Sequence, residues 1–273
     1  MLLYLYSIIA GLIQAITEFL PVSSSGHLII LHDILNFQVG NTLAFDVALH
    51  LGTALALIIY FRRDIWKYIL AVIEIFIPKR PVNQRDLKDV MLIIYASIPA
   101  VILGFLLNKF APTMFRQTEV VVVTLVVVAL LFFIVEKTAK HTGDYTGMSI
   151  GKAFYIGCAQ ALALIPGVSR SGITIIAGMS ADLKRSEAAK FSFLLSIPVV
   201  LGAGVLEMFD IAWTKLSNQE IMSIIVGFVV SATVGFVVIK FFLKYIEHHK
   251  LNVFGWYRIG LALVLIIGMW LNK

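Results

Sequence analysis

The chain has 273 residues, 60% hydrophobic and 14% charged, with a mean hydropathy of +0.94. A soluble domain averages about 45–50% apolar and about 25% charged residues. Sixteen carboxylates and 22 Lys/Arg cannot clothe a water-facing surface of this size, which excludes a soluble enzyme, a disordered chain and a nucleic-acid-binding module. The composition describes an all-α polytopic membrane protein, one integral domain over 1–273. The net charge of +6 and pI near 9.4 fit basic loops against lipid headgroups and no nucleic-acid partner, because no basic patch is interleaved with exposed aromatics.

The first apolar stretch, 2–30, is broken by Pro21 and the run Val22-Ser23-Ser24-Ser25-Gly26-His27. MLLYLYSIIA lacks the positive region of a cleavable signal, so this stretch is expected in the mature protein. Unbroken apolar spans follow at about 43–60, 91–107 and 118–135. A second broken stretch, 151–180, is interrupted at Pro166-Gly167-Val168-Ser169-Arg170-Ser171-Gly172. Its lone Cys158 has no disulfide partner and is expected as a small packing residue. Three more spans lie near 191–208, 221–243 and 253–271. Each span is near the ~20 residues that cross a ~30 Å hydrocarbon core. Trp66, Trp256 and Trp270 near span ends read as interfacial anchors. Lipid cannot satisfy the backbone groups freed by a break, so each break must be buried or line a wet cavity. The expected architecture is therefore six transmembrane helices plus two re-entrant helical hairpins.

Loop charge orients the spans. Seven Lys/Arg fall in 61–90, including Lys79 and Arg80, while 108–117 carries only Lys109 and Arg116. The positive-inside rule places 61–90, 136–152, 182–190 and 244–250 in the cytoplasm and both termini outside. The first hairpin then dips in from outside and the second from the cytoplasm. GLIQAITEFLPVSSSG (11–26) also lies over GCAQALALIPGVSRSG (157–172) at an offset of 146, with seven of 16 positions identical. The reading is an inverted-topology repeat, approximately 1–108 and 147–250, with a site where the broken helices meet.

The second break is built for an anion. Arg170 stands between the hydroxyls of Ser169 and Ser171, with Gly167, Gly172 and Thr174 close by. A guanidinium in an apolar stretch needs an anion or water. Its fork matches phosphate, and turn amides with a following helix N-terminus add donors. The alternative is that Arg170 pairs with Glu18 only to hold the two hairpins together. In the first break, Gln14 and Glu18 share one helix face at i,i+4. Ser23, Ser24 and Ser25 offer nucleophile or hydrogen-bonding groups beside Gly26, and His27 suits proton transfer. The alternative for His27 is an interfacial ring bonded to a carbonyl. A carboxylate facing phosphate oxygens needs a bridging cation or must act as base, which makes Glu18 a candidate metal ligand. Asp46 and His50, also i,i+4, are expected near the outer mouth, and His32 and Asp33 at the interface. Together these groups suit hydrolysis of a phosphoric anhydride.

At these residues a family resemblance appears. Gln14-x-x-x-Glu18-Phe19-Leu20-Pro21-Val22-Ser23-Ser24-Ser25-Gly26-His27 resembles the first signature of the undecaprenyl-diphosphate phosphatase, or bacitracin-resistance, family. Pro166-Gly167-Val168-Ser169-Arg170-Ser171-Gly172-Ile173-Thr174 is similar to its second. The resemblance covers essentially the whole chain. It implies conversion of undecaprenyl diphosphate to undecaprenyl phosphate and inorganic phosphate, which recycles the cell-wall lipid carrier and confers bacitracin resistance. It further implies a bacterial plasma-membrane location, a site opening to the outer face, and a divalent cation, magnesium or calcium. Carried onto this chain, Glu18, Ser24, His27 and Arg170 would be catalytic. Gln14, Ser23, Ser25, Gly26, Gly167, Ser169, Ser171 and Thr174 would bind substrate. Many members have Glu where this chain has Gln14, so Gln14 is expected as a hydrogen-bond partner and a two-carboxylate metal site is not. Ser24 attacking with His27 as acid/base is the first expectation, with His27 or water as the nucleophile left open. A polyprenyl-phosphate flippase is the alternative function, since broken inverted repeats also build transporters. Gly202 and Gly204 allow close helix packing, internal or in a homodimer.

Overall fold

The computed structural model describes residues 2–29, 31, 42–77, 81–110, 117–211 and 213–271. His32, Asp33, Lys79, Arg80 and Arg116 lie outside the described residues. Among the described residues the chain forms eleven α-helices and no strand. In chain order these are α1 Leu2–Phe19, α2 Ser24–Ile29, α3 Thr42–Tyr60, α4 Arg62–Glu74, α5 Gln84–Phe110 and α6 Thr118–Thr138, then α7 Ile150–Leu162, α8 Arg170–Ser180, α9 Arg185–Asp210, α10 Asn218–His248 and α11 Asn252–Leu271.

Seven of these helices are long and apolar enough to cross a membrane: α1, α3, α5, α6, α9, α10 and α11. Six match the spans read from the sequence. The seventh, α1, was expected as an arm of the first hairpin. It runs uninterrupted because Pro21 falls only after 18 helical residues, about 27 Å at 1.5 Å per residue. By contrast, α7 and α8 have 13 and 11 residues, and neither spans alone. Large apolar side chains such as Phe105, Val123, Leu206, Phe241 and Leu263 face outward, as lipid requires. Trp66, Trp256 and Trp270 are exposed too. The connection 61–90 was expected as a loop, but holds α4. Arg62, Arg63 and Lys67 share that helix with exposed Trp66, Ile69 and Ile73, the pattern of a helix lying on an interface.

Helix packing exchanges the two halves of the chain. α1 lies against α10, and α7 lies against α5. Each contact is made close by a small residue at an equivalent position. A side chain added at Gly11 would meet Gly227 and Val230 of α10, and one at Gly157 would strike the Ala96 carbonyl of α5. Gly204 packs on Leu51 of α3, an internal contact, whereas Gly202 faces open space. Cys158 is exposed and does not pack in the core.

α8 is buried along nearly its whole length, from Ser171 to Met179, and packs against α6, α7 and α9. The largest core cluster runs beside it through Phe19, Phe132, Val168, Ile173, Phe191 and Phe193. Far along α6 from the breaks, Arg185 of α9 grips Glu136 with hydrogen bonds of 2.9 and 3.1 Å, and the Leu251 amide donates to the same carboxylate at 2.8 Å. This clamp ties α6, α9 and the start of α11 together.

Candidate active site

Both breaks turn on a serine with left-handed backbone. Ser23 has φ 77° and Ser169 has φ 69°, at positions related by the offset of the sequence repeat. Non-glycine residues hold such angles only where their surroundings enforce them. Here the enforcement is capping. Ser23 Oγ accepts from the Gly26 amide at 3.3 Å, and Ser169 Oγ accepts from the Gly172 amide at 3.2 Å. Each serine also pairs with the hydroxyl two residues on: Ser23 with Ser25 at 3.2 Å, Ser169 with Ser171 at 3.3 Å. The two turns meet directly, since the Gly167 amide donates to Ser25 Oγ at 3.3 Å. Gly167 itself has φ 87°, and a side chain there would collide with Thr124 and Val121 of α6.

The second turn delivers Arg170 to the first residue of α8. Its Nη2 makes a short contact with Glu18 Oε1, and its Nη1 donates to the Ser196 carbonyl at 3.2 Å. The pairing offered as the alternative role for Arg170 is therefore real. It also places the guanidinium at the N-terminus of a buried helix, where an anion is favoured.

Glu18 is the hub. Its Oε2 accepts from Ser24 Oγ at 2.8 Å and from Gln14 Nε2 at 3.0 Å. Gln14 behaves as the hydrogen-bond partner its chemistry suggested. Its Nε2 also lies 3.0 Å from His50 Nδ1, which stands 3.6 Å from Glu18. Gln14 Oε1, buried in the same cluster, has no hydrogen-bond partner among the described residues.

His27 points elsewhere. Its Nδ1 lies 2.7 Å from the Ser23 carbonyl and its Nε2 lies 2.7 Å from Tyr257 Oη. The carbonyl can only accept, so Nδ1 carries a proton, and a neutral ring then accepts from Tyr257 at Nε2. Tyr257 also stacks on the ring at 5.7 Å between centroids. The expected partnership of Ser24 with His27 is not the one formed, because Ser24 turns inward to Glu18 and both ring nitrogens of His27 are engaged. Thr174 sits one turn behind Arg170, bonded to the Arg170 carbonyl at 2.7 Å and to Ser192 at 2.6 Å, so it supports the arginine's turn. Of the predicted residues, Gln14, Glu18, Ser24 and Arg170 thus form one connected cluster, and the remaining serines and glycines shape the turns around it.

Residues 7–264 match the family described as bacitracin resistance protein BacA. The chain belongs to this family. Proteins named undecaprenyl-diphosphatase are similar to it over nearly their full length. That of Rubrobacter xylanophilus is 40% identical over 263 residues, covering 96% of this chain and 97% of that one. That of Trichlorobacter lovleyi is 39% identical and covers 97% of each chain. That of Alteromonas mediterranea is 41% identical, over 95% and 96%.

Three residues of this BacA-family chain were missed or undervalued in the sequence. His50 joins Gln14 because α3 runs beside α1. Tyr257 reaches His27 from α11, a helix treated only as a span. Arg258, next to it, is fully buried, and among the described residues it hydrogen-bonds only main-chain carbonyls of the two breaks and of α6. A signal was present: Arg258 is the lone charged residue of α11, and such a residue inside a span is a functional-site hypothesis by default.

Proposed function

We propose that this protein is an undecaprenyl-diphosphate phosphatase of the bacterial cell membrane, with its site opening to the outer face. The names of its relatives favour hydrolysis over the flippase reading. The loop charges support the orientation. The observation that carries the site assignment is the single cluster linking Ser24, Glu18 and Arg170 across the two breaks.

Phosphoryl transfer needs positioning and charge stabilisation more than covalent chemistry. Arg170 can exchange Glu18 for the terminal phosphate and bind it bidentately. The α8 N-terminus behind it adds donors without reorganisation. Glu18, relieved of the arginine, is left as a base within hydrogen-bond reach of Ser24 Oγ. In this reading Ser24 Oγ attacks the terminal phosphorus and its proton passes to Glu18. The bond to the bridging oxygen breaks, undecaprenyl phosphate leaves, and water then releases inorganic phosphate from the serine. His27, held in one tautomer by the Ser23 carbonyl and covered at Nε2 by Tyr257, stands at the edge of the first turn and moves no proton in these steps.

The donor set fits a magnesium or calcium ion only as a partner shared with substrate. The Glu18 carboxylate and Gln14 Oε1, which lacks a hydrogen-bond partner among the described residues, would be its protein oxygens. Hard cations bound by one or two protein oxygens plus substrate phosphates are the usual arrangement for magnesium. Such an ion would neutralise diphosphate charge.

The assignment is tested by phosphate release from undecaprenyl diphosphate in detergent, for wild type, Ser24→Ala, Glu18→Ala and Arg170→Ala, each with and without chelator. All three variants should lose turnover while remaining folded. Full turnover by Arg170→Ala or Glu18→Ala sinks the site assignment.

A further inference from the structure

Arg258 lies in the middle of the folded bundle at 0% exposure. Among the described residues no carboxylate pairs with it. Its Nη1 donates to the Pro21 carbonyl at 3.3 Å, in the first break. Its Nη2 donates to the Gly167 carbonyl at 2.7 Å and the Val168 carbonyl at 3.2 Å, in the second. Its Nε and Nη2 reach the Leu125 and Thr124 carbonyls of α6 at 3.2 and 3.3 Å. One planar guanidinium therefore bonds to both broken turns and to the helix behind them.

The physical need is plain. A helix break in apolar surroundings leaves carbonyls that lipid cannot satisfy. Pro21 stands three residues before Ser24, and Gly167 three residues before Arg170. A rigid fork with five donors can serve carbonyls from two chain segments at once, whereas a lysine ammonium is a compact charge on a flexible stem. A second, neutral tie supports the same assembly: Thr124 Oγ1 donates to the Pro166 carbonyl at 2.8 Å.

We propose that Arg258 is a positioning residue for phosphoryl transfer, fixing the separation between the turn that carries Ser24 and the turn that carries Arg170. It acts through the main chain and does not touch substrate. This rests on the site assignment made above. Affinity for a long isoprenoid substrate comes largely from its tail, so loosening the two turns should spare KM and lower kcat. A misplacement of about 1 Å can cost about 100-fold in rate.

The experiment measures kcat per folded molecule and KM for undecaprenyl diphosphate on the full-length protein in detergent. The variants are Arg258→Lys, Arg258→Gln and Thr124→Val, with Arg170→Ala as reference, and folding is checked by gel filtration and thermal unfolding. The expected result for Arg258→Lys is a fall in kcat of about 30–100-fold with KM within about three-fold, and for Thr124→Val a smaller fall in the same direction. A purely structural role would lower the unfolding temperature and leave kcat per folded molecule unchanged, which overturns the proposal. A raised KM at constant kcat overturns it as well, because that marks a substrate contact. If neither Arg258 variant folds, unchanged kcat in Thr124→Val decides against it. Retained turnover in Arg170→Ala refutes the site assignment itself, a result distinguishable from failure at Arg258 alone.

Discussion

Glu18 and Arg170 are 152 residues apart in sequence and close one ion pair between the two broken segments. Each lies at the end of a helix interrupted by the same Ser-x-Ser-Gly turn. The pair neutralises two charges in an apolar interior, and in the proposed mechanism it also holds the base beside the anion receptor.

Those two roles separate by mutation. Arg170→Met should destabilise the protein by about 3 kcal/mol, the low end for breaking a buried pair, because Ser24 and Gln14 still bond to the stranded carboxylate. Adding Glu18→Leu should recover most of that loss, since apolar replacement of a whole buried pair is often neutral. Activity should stay absent in both. Denaturant unfolding in detergent checks this. A double variant as unstable as the single would show that the pair is not the source of the penalty.

Ser24 and Ser169 should respond differently to alanine. Ser24→Ala removes the hydroxyl bonded to the buried Glu18 carboxylate and should abolish turnover, at a cost in stability of about 1.5 kcal/mol. Ser169→Ala removes a helix cap at a left-handed residue and should cost about 1 kcal/mol of stability. Rapid quench followed by mass spectrometry should find phosphate on Ser24 in wild type. Its persistent absence, with turnover intact, would shift the attack to water.

The sequence made much of this legible, for identifiable reasons. Long apolar runs and isolated Pro/Gly/Ser breaks are properties of composition, so six of the seven long apolar helices and both breaks were readable, while α1 was read as a hairpin arm. The repeat placed Ser23 over Ser169, and the structure shows the same left-handed serine and the same cap at both. Partner choice was not readable. Ser24 could turn to His27 or to Glu18, and only the packing of α2 against α1 decides for Glu18. Tyr257 and Arg258 join the site by tertiary contact from a helix with no motif. The interfacial helix α4 was hidden because its charges made the whole connection look like loop.

Tyr257→Phe should keep the ring stack and uncover His27 Nε2. Acylation of His27 by diethyl pyrocarbonate, followed by mass spectrometry, should then proceed several-fold faster than in wild type. An unchanged rate would mean that Tyr257 does not mask that nitrogen in solution.

Gln14→Glu should place a second carboxylate within hydrogen-bond distance of Glu18 Oε2, a position Gln14 Nε2 occupies at 3.0 Å. Two such charges repel unless a cation lies between them. The variant should therefore depend more steeply on added magnesium or calcium than wild type, with little turnover in chelator. A titration of activity against cation concentration reads this directly, and identical curves for the two proteins would exclude Gln14 from the cation's surroundings.

The most direct test of the central claim is phosphate release from undecaprenyl diphosphate by folded Arg170→Ala beside wild type. The predicted result is robust release by wild type and at least a 100-fold loss in the variant, the scale expected when a charge-stabilising donor is removed. Equal release by the two proteins would contradict the account.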